Sequence, residues 1–156
     1  MPQASAGPPA PAQFDAILAT ARSLQRDPSP GSRLSGRNLA LLCVTDHPDA
    51  AVFQAAGLAL GARVARLAHQ PADVERPREL RRIGEALGHL YDAVECLGIP
   101  PTAVEPLRDA AGIPVFDGIS SGDHPSARLA DQLDPSLPLP VRRSLIVQAV
   151  LLQTLR

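Results

Sequence analysis

The sequence contains no lysine, and all 15 of its basic side chains are arginine. Neither a Schiff-base lysine nor a P-loop lysine is available, so those chemistries are excluded. Aromatic residues make up only 3%, with no tryptophan, while hydrophobic residues reach 45%. The core must therefore be built from Leu, Val, Ile and Ala, which suits a layered α/β structure. An excess of one charge sign is also absent. The 15 basic and 16 acidic residues leave a net charge of −1, so no positive field gathers a polyanion. Nucleic acid and anionic membranes are not expected as partners. The two cysteines, Cys43 and Cys96, lie inside apolar runs and outside any C-x-x-C spacing, which reads as a reduced cytoplasmic protein with small buried thiols. Met1 to Ala12 are rich in Pro, Ala and Gly, without a positive start or an apolar stretch, and are expected to form a disordered tail and not a signal peptide.

A chain of 156 residues favours one domain with its own core. Phe14, Ile17, Leu18, Ala21 and Leu24 recur at helical spacing, predicting a helix from Gln13 to Gln25 with Asp15 in its first turn. The turn run 28–31 then ends it. Asn38 to Val44 is a continuous apolar run, the pattern of a strand covered on both faces in a parallel sheet. A loop of capping residues, 45–49, precedes a helix from Ala50 to Leu60. The same grammar then repeats: strand Arg63–Leu67, helix Arg78–Gly88, strand Ala93–Leu97, helix Thr102–Ala111, strand Ile113–Phe116. Thr102 and Glu105 have capping-box spacing. The turn at Asp123-His124-Pro125 opens a helix through Gln132. Val141 to Leu155 is more apolar than one buried stripe requires, so it packs into the domain or against another chain. It is too short, and too charged at Arg142 and Arg143, for a membrane span. Alternating strands and helices predict a three-layer α/β/α domain with a parallel, mainly four-stranded, Rossmann-like sheet.

Cys43, His47, Cys96 and His124 fall at or just beyond the carboxyl ends of predicted strands, where open α/β sheets bind ligands. Their spacing matches no zinc pattern, and packing thiols with loop imidazoles is the simpler reading; no metal or cofactor is expected. The arginines near residues 63–82 alternate with Asp73, Glu75, Glu79 and Glu85, which describes a solvated helix face and not a phosphate site.

Blocks in order along the chain resemble ornithine and aspartate carbamoyltransferases. They are Leu34 to Leu42, Gly88-His-Leu-Tyr91-Asp92-Ala-Val-Glu95-Cys-Leu-Gly98, Ala111 to Gly118, His124-Pro125-Ser-Ala-Arg-Leu129-Ala130-Asp131, and Arg142 to Leu152. The resemblance covers Phe14 to Leu155. It implies the family's carbamoyl-phosphate-binding domain together with its returning C-terminal helix, without the intervening amino-acid-binding domain.

The resemblance also shows what has changed. The family holds carbamoyl phosphate with a Ser-Thr-Arg-Thr-Arg loop after the first strand, through helix-terminal amides and guanidinium groups. Here that stretch reads Thr45-Asp46-His47-Pro48-Asp49-Ala50-Ala51, with two carboxylates where a dianion would sit. Leu97 stands where the family has a third arginine, and Ala127 replaces the glutamine of its His-Pro-x-Gln motif, leaving His124. The family's serine- and lysine-bearing loop aligns with Glu79 to Arg82, which has neither. The expectation is a catalytically inactive relative that acts as an oligomeric scaffold, first as a homotrimer, or as partner of a full-length carbamoyltransferase. Two alternatives stand beside it. One is a small-molecule binder with a crevice rebuilt around Thr45, Asp46, His47, Asp49 and His124, suited to a neutral or cationic ligand. The other is a residual carbamoyltransferase completed by another chain. His124 is expected either to polarise a carbonyl, as the resemblance implies, or to cap the turn that follows it.

Overall fold

The computed structural model describes residues 10–27, 32–43, 46–68 and 75–155. The elements run α1 (Pro11–Arg26), β1 (Asn38–Cys43), α2 (Ala50–Ala59), β2 (Arg63–Ala68), α3 (Pro77–Leu90), β3 (Ala93–Leu97), α4 (Pro101–Ala111), β4 (Val115–Asp117), a 3-10 helix (Pro125–Gln132) and α5 (Leu139–Leu155). Four strands form one parallel sheet in the order β2-β1-β3-β4. This is the expected fold class.

Side-chain alternation divides the core in two. Leu39, Leu41 and Cys43 of β1 and Ala93 and Leu97 of β3 join a cluster with α1, α2, α5 and the 3-10 helix. Ala40 and Leu42, with Val94 and Cys96, face α3 and α4. Both faces of the central strands are covered, which is why β1 reads as a continuous apolar run and β3 is interrupted only by Glu95. Each fully buried leucine contributes about 1.5–3 kcal/mol. The second layer is tight where α3 meets α4. A Cβ on Gly84 would lie 2.7 Å from the Leu107 carbonyl oxygen, and one on Gly88 would collide with the Ala111 carbonyl.

Several local expectations are corrected. Helix α1 starts at Pro11, two residues before the expected Gln13, because Pro11 presets the first helical φ and Gln13 Oε1 accepts the Ala10 amide at 2.7 Å. Ala12 thus belongs to α1 and not to the tail, and Asp15 falls beyond the first turn. Residues 1–9 and the whole of the predicted 28–31 turn lie outside the described residues. Helix α4 also starts early, at Pro101 with Pro100 as N-cap. Thr102 is then inside the helix, and the capping box does not form. The helix expected after Pro125 is a 3-10 helix. The apolar excess of α5 is absorbed within the domain: Ser144 to Ala149, Leu151 and Leu152 are all buried, packed with α1 and α2. No helix among the described residues is long and apolar enough to cross a membrane.

Because all four strands are parallel, the segments after β1, β3 and β4 gather at one edge of the sheet, the usual ligand edge of this architecture. Residues 133–138 alone join the 3-10 helix to α5, so no further domain intervenes there.

Candidate functional site

The loop after β4 is held from beneath by Glu95. This residue lies in the middle of β3 with its side chain wholly buried. Its Oε1 accepts the amides of Gly118 at 2.9 Å and Ile119 at 3.2 Å, and Oε2 accepts the Ser120 amide at 2.8 Å and the Ser120 hydroxyl at 2.7 Å. Burial pushes its pKa up to about 7, against these four donors, which favour the charged form. The sequence signal for this arrangement is an acid placed inside an apolar strand.

From above, the same loop is tied to α2 and α5. Asp49 precedes α2, and its Oδ2 accepts the Gly122 amide at 2.9 Å. Arg143 of α5 donates through Nη2 to Asp49 Oδ1 at 2.9 Å and to the Ser120 carbonyl at 2.8 Å. Burial alone would raise the Asp49 pKa, but the Gly122 amide, Arg143 and His47 together hold it below the usual carboxylate value. Next to this pair is a hollow lined by residues including Ile119, Ser120, Ser121, Ala127 and Arg143, with space for about one water-sized sphere.

The sequence-derived candidates are not gathered into one constellation. Thr45 lies outside the described residues. Asp46 is fully exposed and pairs with Arg66 of β2 at 2.8 Å. His47 Nδ1 accepts the Asp49 amide at 3.1 Å, and its ring lies beside Gly98. His124 caps the 3-10 helix, with Nδ1 accepting the Ser126 amide at 3.1 Å and lying 2.7 Å from the Ser126 hydroxyl. Burial lowers its pKa against a nearby Asp117, which keeps the ring neutral and suited to accepting. Cys43 and Cys96 project to opposite faces of the sheet, so the four Cys and His candidates do not converge. Among the described residues no group of three or more His, Cys, Asp or Glu is placed to hold a metal ion. Burial raises the pKa of both thiols. Glu79 to Arg82 form part of α3 and not a loop. Arg143, Gly122 and Ser120 were not among the sequence-derived candidates, because their partners are distant in the chain or are backbone groups.

No known protein-family model matches the chain. Solved structures do. The ornithine carbamoyltransferase of Pyrococcus furiosus superposes with a TM-score of 0.65 at 25% identity, covering 78% of this chain and 40% of that one. The Gloeobacter violaceus enzyme matches at 0.60 and 26% identity, over 77% of this chain and 39% of that one. The Thermus thermophilus enzyme matches at 0.63 and 23% identity, over 78% and 43%. The chain therefore spans about two fifths of the length of these enzymes, roughly one domain. It is a carbamoyltransferase-like single domain.

Proposed function

We propose that this chain is a non-catalytic carbamoyltransferase-like domain, retained in the cytoplasm for association with itself or with a full-length carbamoyltransferase. The observation that carries the reading is the closed crevice at the carboxyl edge of the sheet. The Asp49 carboxylate, and not an arginine, stands at the head of α2. It is bonded to Arg143 and to the Gly122 amide, beside a hollow with room for about one water. A dianion brought there finds the guanidinium and amide donors already taken by a carboxylate of its own charge sign. The resemblance places the family's phosphate-binding arginines in the segment 45–51, where this sequence has none. His124, which the resemblance aligns with a substrate-polarising histidine, is committed to capping through Nδ1.

Removing one preorganised donor from such a site costs roughly a hundredfold or more in rate, so the loss of several leaves little catalytic power. Incubation with carbamoyl phosphate and ornithine or aspartate is expected to release phosphate and form carbamoylated product no faster than buffer. Turnover above that background overturns the reading. For the association, a homotrimer is proposed. Leu58 of α2, Leu90 of α3, and Leu139 and Val141 of α5 are the large hydrophobic side chains exposed among the described residues, and they are proposed as the ones a partner would cover. Sedimentation at micromolar concentration is expected to show a species larger than a dimer. A clean monomer, alone and with a carbamoyltransferase, contradicts the association.

A further inference from the structure

Asp49 occupies the N-cap position of α2, yet its side chain makes no capping hydrogen bond to that helix. Its two oxygens are used elsewhere. Oδ1 takes the guanidinium of Arg143 at 2.9 Å, and Oδ2 takes the Gly122 amide at 2.9 Å. Arg143 is oriented by a second bond, to the Ser120 carbonyl at 2.8 Å, and Ser120 is itself fixed by Glu95. The Asp49 amide is bonded to His47 Nδ1, which fixes the backbone that presents the carboxylate. The two side chains are only 17% and 20% exposed.

An ordinary surface ion pair joins two mobile side chains and contributes little. Here both donors are held independently of the carboxylate they receive. Gly122 belongs to a loop anchored on β3, and Arg143 belongs to a helix packed into the core. A guanidinium and a backbone amide converging on the two oxygens of one anionic group are the elements of an oxyanion or phosphate cradle. The anion present in it is covalently part of the chain. A flexible tether gives an effective concentration in the millimolar range, and a carboxylate fixed in place by the fold competes at a far higher one, so a free anion at millimolar concentration does not displace it.

We infer that Arg143 and the Gly122 amide form an anion cradle that the chain fills with its own Asp49 carboxylate, closing the crevice to external phosphate. The inference rests on the crevice described under the proposed function and deepens that reading: the site is self-occupied, not merely lost. It also makes a gain-of-binding prediction, which loss of an ancestral site alone does not.

The test is thermal unfolding of wild type, D49A and D49A/R143A in inorganic phosphate against chloride at equal ionic strength. D49A vacates the cradle and leaves both donors in place. Millimolar phosphate is expected to raise its melting temperature by about 3 °C or more, while wild type and D49A/R143A show no phosphate-specific shift. A folded D49A that melts identically in the two anions overturns the inference, and so does a double variant that responds as strongly as D49A. If D49A does not fold, D49N carries the test. It keeps the side-chain shape and removes the charge, and a smaller phosphate shift is expected, its absence overturning the inference. These outcomes are independent of the turnover assay. Wild-type turnover would sink the non-catalytic reading, whereas an unresponsive D49A would leave that reading standing.

Discussion

The carboxylate of Glu95 receives both the amide and the hydroxyl of Ser120, at 2.8 and 2.7 Å, in a part of the core that water does not reach. This one side chain from the middle of β3 fixes the course of the loop that leaves β4, and that loop presents Gly122 to Asp49.

Glu95 makes stability depend on pH in an unusual direction. Its folded pKa is raised from 4.5 to about 7 by burial, so the folded chain retains a proton that the unfolded chain has lost. Its stabilising contribution is full below about pH 4.5 and is lost as pH rises to about 7, a change on the order of 3 kcal/mol. Urea unfolding of wild type and E95Q between pH 4 and 8 checks this. The difference between the two should shrink as pH rises, because Gln does not titrate.

Arg143→Met keeps the aliphatic stem and removes the donors to Asp49 and to the Ser120 carbonyl. A loss of about 1–3 kcal/mol is expected at neutral pH. Asp49 has a depressed folded pKa, so this contribution is present above the unfolded value near 3.8 and is lost as pH falls through the lower folded value. The gap between wild type and R143M in denaturant melts should accordingly close in acid.

Gly88→Ala places a methyl group against the Ala111 carbonyl, where α3 crosses α4. The helices must separate to admit it, at a cost of about 1–3 kcal/mol. Chemical denaturation is expected to show a lowered midpoint with an unchanged slope.

Cys43 and Cys96 are buried, and both thiols are pushed above their ordinary pKa. Neither is expected to react with a chromogenic disulfide reagent in the native state near neutral pH, and both should react at once in denaturant. Rapid native labelling of either thiol would show that its packing layer opens readily.

Much of this fold is written in local patterns. Strand β1 shows as a continuous apolar run because helices cover both faces, and α5 shows as unusually apolar because α1, α2 and the 3-10 helix surround it. Boundaries were less legible where prolines preset the backbone: Pro11 and Pro101 each start a helix ahead of the residue expected from side-chain pattern alone. The site was less legible still. Asp49 was visible as a charge in the wrong place for a phosphate, but its partner Arg143 is 94 positions away, and periodicity carries no such information. Glu95 was not among the candidates read from the sequence, and three of its four donors are backbone amides, which no side-chain pattern encodes. Asp46, close in sequence to Asp49, turns instead to Arg66, so adjacency in the loop was a poor guide to convergence.

The central claim, that the crevice does not take carbamoyl phosphate, is tested most directly by wild-type thermal unfolding in millimolar carbamoyl phosphate against equal inorganic phosphate. A ligand at a hundred times its dissociation constant stabilises by about 2.7 kcal/mol, which moves the melt of a domain this size by several degrees. The account predicts coincident melting curves, and a shift specific to carbamoyl phosphate would contradict it.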